Sequence, residues 1–181
     1  MKKLVILLFT PLFCFGNDVN IDDVKDWIAA GQYSRICKDN VRKLFVEQKN
    51  STVANIYAKA CLKLDKINEL IIPITMLYED RASRENAAIY ATILYQKKLL
   101  YFAIIDNYDI SYIQTPKIEY ILSYIFDKFV AKEYELKENR YHFILNDDLR
   151  CELFIEDDSG IKKLKLEIYD NDRLVSTKVY W

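Results

Sequence analysis

From residue 20 to about residue 136, apolar side chains return every three or four positions, the spacing that places them on one side of an α-helix. Breaks in that rhythm predict helices near 21–30, 33–48, 52–64, 67–79, 84–106 and 116–136. Ser51 and Ser83 stand where an N-cap oxygen is useful, and Thr115-Pro116 offers a cap before a proline whose missing N–H costs nothing in a first helical turn. In the last segment Ile118, Ile121, Leu122, Ile125, Phe126 and Phe129 form one stripe, suited to closing the end of a helical stack.

Beyond residue 140 the period becomes two. Tyr141, Phe143 and Leu145 share a face with Cys151, Leu153 and Ile155, with Leu164, Leu166 and Ile168, and with Val175, Val179 and Trp181. Four strands are expected, joined by turns at Asn146-Asp147-Asp148, Asp157-Asp158-Ser159-Gly160 and Asp170-Asn171-Asp172, as an antiparallel meander. The apolar face needs a cover, and 116–136 is the nearest helix; the other face, with Arg150, Glu152, Lys163, Lys165 and Glu167, is expected to be wet. The fold class is therefore α+β, mainly α: helix pairs over 17–137, with 116–136 as the cap, then the meander over 138–181.

The first residues change the compartment. Lys2 and Lys3 precede an apolar run from Leu4 to Phe15, too short for the roughly 20 residues of a membrane-spanning helix. Cys14 and Gly16 fit positions −3 and −1 of a cut before Asn17, so 1–16 reads as an export signal and the mature chain as periplasmic, or secondarily secreted. Lipid attachment at Cys14 is disfavoured by Pro11 and Phe13, and no stable membrane insertion is expected after cleavage. A formal net charge of −1, with both signs spread along the chain, gives no basic surface for nucleic acid.

A repeat runs under the helical pattern. Ile56-Tyr57-Ala58 recurs as Ile89-Tyr90-Ala91, while Gly31, Tyr33 and Ile36 align with Asp65, Ile67 and Leu70 and then with Lys98, Leu100 and Ala103, a period of about 34 residues. With Ala58 and Ala91 as the small first-helix positions, Gly31 and Tyr33 at the turn, and Ile36, Leu70 and Ala103 in the second helix, residues 20–107 resemble the tetratricopeptide repeat family. That resemblance implies stacked antiparallel helix pairs whose first helices line a partner-binding side. It nominates Asn55, Lys59, Leu62 and Lys63 in one repeat and Thr92, Tyr95 and Gln96 in the next.

Export would expose Cys37, Cys61 and Cys151 to oxidation. The midpoint of 37 and 61 falls in the Lys49-Asn50-Ser51 turn, so these two thiols stand at one height on adjacent antiparallel helices, either bridged or as two buried thiols. Cys151 is left over as a small inward hydrophobe. The single histidine, His142, points away from the Cys151 face, which leaves no catalytic dyad and no histidine cluster for a metal; no cofactor is expected. The 14 tyrosines suit half-buried cores and interfaces alike. These features suggest a non-enzymatic scaffold that docks to proteins of the cell envelope. The rival is a ligand-binding or enzymatic domain with a deep cavity between 116–136 and the sheet, which Phe126, Phe129, Phe143 and Leu153 would instead fill.

Overall fold

The computed structural model describes residues 19–180; the segment read as an export signal, Cys14 and Trp181 lie outside them. Helix α1 (Ile21–Ala29) begins on a reciprocal cap: the Asn20 side chain accepts from the Asp22 and Asp23 N–H groups, and Asp23 accepts from the Asn20 N–H. It ends at Gly31, whose φ of +66° suits a residue without Cβ. The helix expected over 33–48 is two, α2 (Tyr33–Ile36) and α3 (Asp39–Glu47), because Cys37 and Lys38 leave helical backbone angles and Asp39 opens a fresh first turn.

Helix α4 (Ser51–Lys63) is capped by Asn50 rather than Ser51, the Asn50 carboxamide oxygen accepting from the Val53 N–H at 2.9 Å. A 3-10 turn (Ile67–Leu70) leads into α5 (Ile71–Met76), with Pro73 in its first turn, where no N–H is required. Helix α6 (Arg81–Asp106) runs unbroken through Lys97 and Lys98. Its cap is Asp80, not Ser83; Asp80 accepts from the Ser83 N–H at 2.7 Å.

Helix α7 (Ile121–Val130) is shorter at both ends than the expected 116–136. Residues 116–120 stay non-helical, with Tyr120 extended and its hydroxyl donating to Asp65 at 2.7 Å; that tertiary bond outcompetes the local proline signal. Residues beyond α7 turn back and supply a short strand, so the sheet has five strands where four were expected. They are β1 (Glu135–Lys137), β2 (Arg140–Ile144), β3 (Leu149–Asp158), β4 (Ile161–Asp170) and β5 (Arg173–Tyr180), in the order β1-β2-β3-β4-β5, all antiparallel. The chain is α+β and mainly α, with the sheet at its C-terminal end.

The last strand is in the opposite register to expectation. An irregularity at Ile168/Tyr169 shifts the pairing so that Leu164, Leu166 and Ile168 face Tyr180, Lys178 and Ser176. Tyr180 is therefore buried while Val175 and Val179 lie exposed. A one-residue shift exchanges the two faces of a strand, and alternation alone cannot register a bulge.

Two apolar clusters hold the described residues together. The first gathers Val24, Ile36, Val41, Phe45, Val53 and Tyr57 around the Cys37–Cys61 disulfide, whose Cα atoms are 5.1 Å apart. The second joins the end of α4 and the faces of α5, α6 and α7 to the inner face of the sheet. Phe126, Phe129, Phe143 and Leu153 are buried in it, while an open cleft of about 950 Å³ runs between α7 and the turn at Leu145 and Leu149. Cys151 is buried beside them as a free thiol.

The outer sheet face is less wet than its composition suggests. Glu152 is only 8% exposed and accepts from Arg140 at 3.0 Å and Arg150 at 2.6 Å. Arg140 lies over the Phe154 ring and Arg150 over Tyr169, so rings and guanidinium planes shield the carboxylate. Burial works against the Glu167 charge, but hydrogen bonds from Tyr169 and Arg140 outweigh it and hold that carboxyl below its usual range.

Candidate functional site

Helices α4 and α6 lie side by side in the same sense. Near their starts Tyr90 donates to the Asn55 carboxamide oxygen at 2.9 Å, and beyond the end of α4 Lys97 donates to the Asn68 carboxamide oxygen at 2.5 Å. Asn55 thus spends its acceptor on the helix–helix contact, with burial raising the Tyr90 hydroxyl to about 12. One and two turns further along α4, Lys59 and Lys63 are exposed, and neither bonds to another described residue. Leu62, between them, is partly buried against the larger core.

The residues nominated on α6 do not join them as a set. Thr92 returns its hydroxyl to the Ala88 carbonyl at 2.8 Å, a self-contained helical bond. Gln96 is fully buried; its amide donates to the Thr115 hydroxyl at 2.7 Å, and its carbonyl oxygen has no partner among the described residues. It anchors the segment after α6 rather than lining a surface, because it sits on the Ile93/Leu100 side of the helix. Tyr95 is exposed, but on the opposite side of α6 from Ile93, Lys97 and Leu100.

A polar junction ties the helices to the last strand. Asp65, in left-handed backbone after α4, accepts from the Tyr120 hydroxyl and from Lys178, each at 2.7 Å. One helical turn on, Glu69 accepts from Tyr57 at 2.7 Å and Arg42 at 3.2 Å. Desolvation, reinforced by these acids, raises the Tyr57 and Tyr120 hydroxyls far above the ordinary tyrosine value, and desolvation also raises Tyr180. Beside this junction a cleft of about 390 Å³ is lined by Asp65, Asn68, Lys97 and Tyr180 among others; burial, then the charge of Lys98, lowers Lys97 to about 8.

A third feature lies on the outer side of α6, where Tyr95, Phe102, Tyr108 and Tyr112 are each between two-fifths and seven-tenths exposed. Phe102 and Tyr108 stack with centroids 4.4 Å apart, and the Tyr108 and Tyr112 hydroxyls are paired at 3.2 Å. That bond, with smaller contributions from Tyr95 and Asp109, raises the Tyr112 hydroxyl. The segment after α6 therefore folds back along the helix and sets its own rings beside those of α6. Sequence reading nominated Tyr95 alone of these rings. The missed signal is the spacing of Tyr95, Lys98 and Phe102, which share a stripe opposite Ile93 and Leu100.

The groups with reactive chemistry stay apart. His142 pairs across the strands with Glu152 on the outer face, its Nδ1 3.6 Å from Glu152 Oε1, while Cys151 faces inward and burial pushes its thiol to about 11. Among the described residues no group of three or more His, Cys, Asp or Glu is placed to hold a metal ion. No protein-family model matches the chain, and no curated protein or solved structure matches it either.

Proposed function

We propose that the chain is an exported, non-enzymatic scaffold of the cell envelope that docks an acidic segment of a partner protein along α4. The observation that carries the reading is the Lys59/Lys63 pair: two ammonium groups one helical turn apart, exposed, bonded to no other described residue, and mounted on a helix fixed by a disulfide and by α6. A rigid helix holds the two charges at a fixed spacing without loss of backbone entropy on binding, leaving only the lysine side chains to order. The Cys37–Cys61 bridge fits an oxidising compartment, and the parallel neighbours α4 and α6 fit first helices of successive tetratricopeptide-like repeats.

The test is charge reversal. The K59E/K63E double variant, expressed in the native host in place of the parent, is expected to recover its co-purifying envelope partner at least tenfold less efficiently while its Tm stays within about 2 °C of the parent, as for exposed surface positions. Undiminished recovery rejects the α4 face as the docking surface.

A further inference from the structure

The rings on the outer side of α6 have a spacing that a particular polymer matches. Tyr95 and Phe102 are seven residues apart on one helix, so their attachment points are separated by about 10 Å along the axis. That is about the length of two sugar units in an extended β-1,4-linked chain, in which alternate units turn the same face to one side. Tyr108 stacks on Phe102 and pairs its hydroxyl with that of Tyr112, so the second position carries more than one ring.

We infer that this surface binds an uncharged β-1,4-linked glycan chain, stacking alternate pyranose rings at Tyr95 and at Phe102/Tyr108. The chemistry fits both parts of a sugar. Pyranose C–H faces pack on aromatic rings, while the equatorial hydroxyls meet the tyrosine oxygens, Lys98 between the two ring positions, and Asp106 one turn past the second. Charge fits as well: Lys98 and Lys132 are balanced by Asp106 and Asp109, and Lys132 and Asp109 stand 4.0 Å apart, so the rim attracts neither polyanion nor polycation. Size separates this occupant from a protein. Four rings about half exposed offer about 400 Å², half of the roughly 800 Å² per partner that a stable protein interface buries. The surface is distinct from the lysines of α4, and the inference does not depend on them.

The test is calorimetric titration of the mature protein with the hexamer of β-1,4-linked N-acetylglucosamine and, separately, with maltohexaose, whose α-1,4 linkage curves the chain. Saturable binding of the β-linked hexamer is expected, at least tenfold tighter than that of maltohexaose. The Y95A/F102A variant should lose it at least tenfold, Y95W should keep it, and K59E/K63E should leave it unchanged. Because Tyr95 and Phe102 are exposed, Y95A/F102A is expected to keep the parent's circular dichroism; Y112A, on the loop, supplies the same comparison if it does not. No heat at millimolar β-linked hexamer, equal affinity for maltohexaose, or undiminished binding by folded ring variants overturns the inference.

Discussion

Asp65 and Glu69 show how single carboxylates can join parts of a fold that hydrophobic packing leaves separate. Asp65 collects Tyr120 and Lys178 from distant parts of the chain, and Glu69 collects Tyr57 and Arg42 from the disulfide-bearing cluster. Their tyrosine donors hold protons more tightly in the folded chain than in the unfolded one. The stability contributed by a raised folded pKa is complete below the unfolded value, about 10 for tyrosine, and is lost as pH climbs above it. Cys151 adds in the same direction as pH rises from its unfolded value towards about 11. The protein should therefore lose stability steeply above pH 10, with Tyr57, Tyr120 and Tyr180 ionising only as it unfolds. Absorbance titration of tyrosinate alongside circular dichroism checks this; ionisation of all the tyrosines near pH 10 with the fold intact would refute it.

At the scale of elements, local chemistry decided which residue caps a helix and tertiary contacts decided where a helix stops. Asn50→Ala should cost about 1 kcal/mol by urea unfolding, and Asp80→Ala should also destabilise, whereas Ser83→Ala should cost less, because its hydroxyl only supplements the bond from its own N–H to the Asp80 carboxylate. The register of β5 gives a second comparison. Tyr180→Ala should cost about 3–5 kcal/mol as a buried aromatic, while Val179→Ala on the outer face should cost under about 1 kcal/mol. Reversal of that order would restore the unbulged register.

Most elements were legible because their periods are strong: the stripe from Leu122 to Phe129 is buried as read, and the alternation from Phe143 to Leu166 faces the core with Leu145 and Ile155 partly buried. Helix α7 started late because Tyr120 is held by Asp65, and β1 was hidden because three exposed residues carry no alternation. Gln96 was misplaced because repeat phasing assigns a position without its rotation on the helix. The aromatic surface went unread because it needs the segment after α6 to fold back, a feature no period encodes.

At the scale of the whole molecule, the disulfide-bearing helices form one cluster, and the long helix α6 unites the remaining helices with the sheet in the other. The Asp65–Glu69 turn bonds to both. Such a body offers fixed surfaces, the lysines of α4 on one and the rings of α6 on another. Site-specific photo-crosslinking from position 59 in intact cells of the native host, followed by mass spectrometry, tests the docking role most directly. An exported scaffold gives a discrete adduct with an envelope protein, abolished by the K63E substitution. Adducts confined to cytoplasmic proteins, or an adduct indifferent to the Lys63 charge, would contradict it.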